Sequence, residues 1–154
     1  WEISDKSVHP KINGQKVLIQ DGVEQLNAKK VYIQLGMNDI GLYGVDSPIT
    51  TMDELAQEIL KKSPGAKIYI QSVTPMVTNA EGKNLNNSNI NIYNKKLLEL
   101  CGQKGYSYID VASVMKDSDG SLIMEYCSDP DGQGIHLTDA GCKAWVDYLY
   151  THTA

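Results

Sequence analysis

Apolar positions along the chain fall into three short, nearly continuous runs, separated by stretches where they recur at helical spacing. Residues 30–35 are rich in β-branched and aromatic side chains and end at Gly36. Residues 67–73 have the same character and end at Thr74-Pro75, and residues 106–111 form the third run. Each predicts a strand bounded by turn residues. A helix is predicted from Thr51, with Thr51 and Glu54 as a capping box, Leu55, Ile59 and Leu60 on one face, and Pro64-Gly65 as the stop. Ile90, Tyr93, Leu97 and Cys101 mark a second helix, closed by Gly102 and Gly105, after a polar loop over 79–89. Thr138 caps a last helix whose Ala144, Trp145, Tyr148 and Leu149 face inward. Before the first strand the signal is weaker. Residues 1–15 read as an irregular lead-in broken by Pro10 and Gly14, residues 17–19 as a strand or an extended stretch, and residues 22–28 as a short helix with Val23 and Leu26 on one face. Asp119-Gly120 marks a hairpin-like turn, and residues 127–137 a loop.

The order strand, helix, strand, helix, strand, loop, helix predicts an α/β domain with a parallel sheet. Strands that are apolar almost throughout predict a sheet covered on both faces. Chemistry in such folds collects where the strands end, here at residues 36–41, 74–77 and from 111 onward. Neither an internal repeat nor a linker interrupts residues 1–154, which read as one domain.

Composition narrows the field. With 154 residues, 42% hydrophobic and 21% charged, the chain can form a core. A net charge of −5 argues against a nucleic-acid partner. No apolar run approaches the roughly 18 residues of a membrane span. Three cysteines, Cys101, Cys127 and Cys142, are too few for a disulfide framework, and at least one is unpaired within the chain. Cys127, His136 and Cys142 match no zinc-site spacing. No glycine-rich phosphate loop is present, so no metal and no cofactor is expected.

Two segments carry candidate chemistry. Gly36-Met37-Asn38-Asp39 follows the first strand, where the glycine permits an abrupt turn and Asn38 can offer N–H donors to a developing oxyanion. An Asx turn explains Asn38 equally well. Gly134-Ile135-His136-Leu137-Thr138 precedes the last helix. His136 there suits a general base, or a ring that merely braces its loop.

In order, spacing and placement, the pair resembles blocks III and V of the SGNH hydrolases, also called the GDSL esterase/lipase family. Gly36-Met37-Asn38-Asp39 fits the family's GxND block. His136-Leu137-Thr138 followed by Gly141 resembles the end of its block V. The resemblance implies a flavodoxin-like three-layer α/β/α fold and hydrolysis of acyl esters through an acyl-serine. It makes Gly36 the turn, Asn38 an oxyanion donor, Asp39 a loop brace and His136 the base. The substrate class is a small-molecule ester: an acetylated carbohydrate, a short acyl ester or a lipid. A secreted or cell-envelope location is suggested by the resemblance alone.

The chain departs from the family twice. It has no Gly-Asp-Ser block and no convincing block II glycine, since Gly14 and Gly22 lack the surroundings. The chain begins with Trp1 rather than Met, and the expectation is a C-terminal portion whose missing blocks precede Trp1. Its sheet is then incomplete on the N-terminal side, and the strand at 30–35 becomes an apolar edge. Such an edge invites self-association or complementation by another piece. The second departure is Gln133, which stands where the family places the aspartate partner of its histidine. Asp131 and Asp129 are the nearest carboxylates, with Asp131 preferred, and a serine–histidine dyad is the other option. The alternative functions are a non-catalytic binding module or inactive relative and, with less support, a flavodoxin-like cofactor binder.

Overall fold

In the computed structural model, residues 9–153 are described. The chain opens with a two-stranded hairpin, β1 (Lys11–Ile12) and β2 (Gln15–Lys16), joined through Asn13 and Gly14. Both turn residues have positive φ, 51° and 81°. That is the Asn-Gly signature of a tight hairpin, so the described part of the lead-in is ordered, and its first eight residues lie outside the described residues. The first helix, α1 (Ile19–Gln25), starts three residues earlier than its pattern indicated.

A three-stranded parallel sheet follows, in the order β3 (Lys30–Ile33), β4 (Lys67–Gln71), β5 (Ser107–Ile109). Lys30 to Ile33 stand opposite Lys67 to Ile70, and Tyr69 to Gln71 opposite Ser107 to Ile109. Between β3 and β4 lie α2 (Met37–Tyr43) and α3 (Ser47–Lys62). The second of these begins four residues before Thr51. Pro48 occupies its first turn, where a missing N–H costs nothing, and the Thr51 hydroxyl donates to the Ser47 carbonyl (3.2 Å) rather than forming the expected capping box. The helix α4 (Asn87–Lys104) runs between β4 and β5, capped by the Asn86 side chain on the Asn89 N–H. The last helix, α5 (Asp139–His152), follows β5, and the Thr138 hydroxyl accepts from the Gly141 N–H at 3.3 Å.

Strand alternation sorts the sheet into two faces. Ile33, Ile68 and Ile70 pack with Met52, Leu55 and Ile59 of α3 and with Ile90, Tyr93 and Leu97 of α4. Tyr69, Ile109 and Val111 pack on the opposite side against Trp145, Tyr148 and Leu149 of α5. The Trp145 indole N–H donates to the buried Gln71 side chain at 2.7 Å. The result is the expected three-layer α/β/α arrangement. At the β3 side it thins out: Tyr32 stacks on Tyr69 (centroids 4.8 Å apart) yet remains 40% exposed. Among the described residues, the outer edge of β3 has no strand partner. No helix among them is long and apolar enough to cross a membrane.

Candidate active site

Because β3 and β4 are parallel neighbours, the segments that leave them emerge at the same end of the sheet. Gly36 turns the chain out of β3 with φ 125°, a conformation open to glycine and rarely to other residues. A Cβ at this position would lie 2.5–2.7 Å from the Tyr93 ring, so the turn depends on a bare backbone passing over α4. The Tyr93 hydroxyl donates to the Leu35 carbonyl (3.4 Å). Burial first, and then the nearby Asp39 carboxylate, holds that phenol well above its usual range, which keeps it a neutral donor. The Ile40 N–H donates to the Gly36 carbonyl at 2.8 Å, starting α2. Asn38 and Asp39 thus occupy the first turn of a helix. Both line an apolar cleft of about 560 Å³ with Leu35, Tyr43, Met52 and Tyr93.

The segment leaving β4 is irregular and yet buried from residue 72 to residue 77. Buried backbone must find partners, and two asparagines seven residues apart on α4 supply them. The Asn94 side chain accepts from the Val73 N–H and donates to the Val73 carbonyl, both at 2.8 Å. The Asn87 side chain does the same for Met76, at 2.9 and 2.8 Å. Neither clamp emerges from apolar periodicity, although two asparagines two turns apart on one helical face are a readable signal.

His136 lies in a loop with a paired neck. Cys127 bridges Leu137, and the Ser128 N–H donates to the His136 carbonyl (2.9 Å). Ile135 packs into the main core, and the next side chain, His136, turns outward and is 62% exposed. Its Nδ1 stands 2.8 Å from Oδ2 of Asp129. An ionised carboxylate only accepts, so Nδ1 carries the proton and Nε2 presents its lone pair. Asp129, not the preferred Asp131, is therefore the carboxylate that reaches the ring; Asp131 is exposed to solvent. Geometry explains the choice. The Asp129 carboxylate also accepts from the backbone N–H groups of Gln133 (3.1 Å), Ile135 (3.2 Å) and His136 (3.1 Å), and from the Cys127 thiol (3.5 Å). The bond from His136, then its backbone N–H and the thiol, hold the Asp129 carboxyl well below the usual carboxylate range against a smaller opposing effect of burial. Burial in turn pushes the Cys127 thiol up, so it stays protonated and able to donate.

This loop rests on the segment from β4. The Val77 N–H donates to the Gly134 carbonyl (3.0 Å), and the Asn79 amide donates to the Pro130 carbonyl (3.3 Å). Gly134 has φ 65°, and a Cβ there would lie 2.3 Å from Val77 Cγ2 and 2.7 Å from Ala80 Cβ. The structure thus brings Asp129 and His136 together, and it sets Gly36 and Asn38 on a cleft whose lining does not include His136. Among the described residues no group of three or more His, Cys, Asp or Glu side chains is arranged to hold a metal ion.

Comparison with known proteins agrees with this fold. A Streptococcus pneumonia protein named for platelet activating factor is 24% identical, with a TM-score of 0.72 over 80% of this chain and 58% of its own. A family 3 carbohydrate esterase from Clostridium thermocellum is 18% identical (TM-score 0.65; 88% and 60% covered), and a GDSL-like lipase from Bacteroides thetaiotaomicron is 20% identical (TM-score 0.67; 86% and 65% covered). These likenesses establish the fold. The chain spans less than two thirds of the length of each. A search of curated proteins finds no match. The GDSL-like Lipase/Acylhydrolase family matches residues 5–144, which include every candidate site residue, and the chain belongs to that family.

Proposed function

We propose that this chain carries the base and one oxyanion donor of an acyl-ester hydrolase, and that the nucleophilic serine comes from a segment that pairs with the free edge of β3, in the same polypeptide or another. The observation that carries the reading is the Asp129–His136 pair, whose Nδ1–Oδ2 bond fixes the tautomer a base requires. In the reaction, the serine oxygen attacks the ester carbonyl carbon and its proton passes to His136 Nε2. The carbonyl oxygen becomes an oxyanion and accepts N–H bonds, with the Asn38 carboxamide as one donor and Gly36 allowing the approach. The carbon–oxygen bond to the leaving alcohol then breaks, and the alcohol takes the proton from His136. Water attacks the acyl-serine, again giving its proton to Nε2. The acid departs, and the proton returns to the serine.

Among the described residues the outer edge of β3 is unpaired, and with the apolar cleft beside it this supports the need for a further strand. A non-catalytic module is the second reading, favoured by the absence of any Gly-Asp-Ser sequence in the chain. Hydrolysis of p-nitrophenyl acetate separates the two. The chain is assayed alone and after fusion to a Gly-Asp-Ser-bearing strand segment designed to pair with β3, each beside its His136→Ala variant. The hydrolase reading expects turnover in the completed protein that falls by at least about 10³-fold without His136. Turnover that ignores His136 would contradict it.

A further inference from the structure

The segment that seats the His136 loop is itself held from α4, and that relay reaches beyond satisfying buried backbone. Asn87 grips both polar groups of Met76. The next N–H, that of Val77, donates to the Gly134 carbonyl, and the Val77 side chain fills the space a Gly134 Cβ would take. Gly134 closes the turn around Asp129, since its N–H and that of Gly132 both donate to the Asp129 carbonyl (3.1 and 2.9 Å). The Met76 carbonyl also accepts from the Leu122 N–H at 3.1 Å, so only its N–H depends on Asn87 alone. Further along the same helix, Tyr93 lies beneath Gly36, and Asn94 grips Val73.

We propose that Asn87 is a positioning residue for the Asp129–His136 pair, acting through Met76, Val77 and Gly134, and that α4 is the common template on which both halves of the site are set. The catalytic part of this inference rests on the hydrolase reading above; the positioning part does not, and its test needs no turnover.

The test compares Asn87→Ala with the unaltered chain by amide hydrogen exchange and by titration of the Asp129 carboxyl followed by NMR. Loss of the clamp is expected to speed exchange at the Val77, Ile135 and His136 amides by at least tenfold, while the Ile70 amide in the β4 ladder changes less than threefold. The Asp129 titration is expected to move up toward the ordinary carboxylate range. Asn87→Asp keeps the acceptor for the Met76 N–H and loses the donor to its carbonyl. Because that carbonyl retains Leu122, this variant is expected to recover most of the loop protection, and it replaces the alanine variant as the test should that one not fold. Uniform acceleration at all four amides with an unmoved Asp129 titration would reduce Asn87 to a structural tie and overturn the proposal. A shifted loop, together with a completed protein that never hydrolyses esters, would sustain the positioning and sink the hydrolase reading instead.

Discussion

The two halves of the candidate site are built in opposite ways. The Asp129–His136 loop is stabilised largely from within. Its neck is paired, and its carboxylate is met by three backbone N–H groups, a thiol and the imidazole. The Gly36–Asn38 turn has no comparable network. It depends on one close backbone approach over Tyr93 and opens onto a cleft beside a strand edge that is unpaired among the described residues. A loop with its own hydrogen-bond network still needs a seat, which Val77 gives this one through Gly134, whereas a turn with little network of its own is finished only when all its neighbours are present.

The largest expected effect falls on the turn. Gly36→Ala forces a methyl group into a buried ring at a φ that disfavours side chains. It should cost about 3 kcal/mol in a denaturant titration. A cost below about 1 kcal/mol would mean that the turn is looser than described.

Acid acts on the loop. The Asp129 carboxyl titrates lower in the folded chain than its ordinary value of 3.8. The ionised form is therefore favoured by folding. Its contribution is complete above the ordinary value and fades as pH falls through the lower, folded one. Urea midpoints of the unaltered chain and Asp129→Asn should differ most near neutrality and converge in acid. A difference that does not vary with pH would break the contrast between the two halves.

Smaller still is the effect of His136→Ala on stability. The ring is well exposed, so the change should stay within about 1 kcal/mol, even as the variant loses any hydrolysis. Asp131→Asn should alter neither stability nor turnover appreciably, and a loss of activity there would restore the carboxylate that the sequence had favoured.

How much of this was legible beforehand follows from the range of the interactions. The three strands and the last helix were readable because apolar periodicity and caps such as Thr138 are local. Asn38 and His136 stood out because each sits just past a strand or just before a helix. Asp129 was passed over for Asp131 because the choice depends on which way residues 130–134 fold, and that is set by Gly134 seating against Val77, a contact between distant parts of the chain. The spacing of Asn87 and Asn94 on one helical face is readable, but their partners are not, because those are backbone groups more than ten residues away. The hairpin at Asn13-Gly14 is local and readable as a turn, a signal that treating Gly14 only as a breaker alongside Pro10 leaves unused.

The central claim is that His136, oriented by Asp129, activates a serine held beside Asn38. Fluorophosphonate labelling with peptide mapping, in protein whose β3 edge is paired, tests it most directly. The account predicts one labelled serine, with labelling lost in His136→Ala, strongly reduced in Asp129→Asn and retained in Asp131→Asn. Labelling that proceeds without His136, or a folded and completed protein in which no serine reacts, would contradict it.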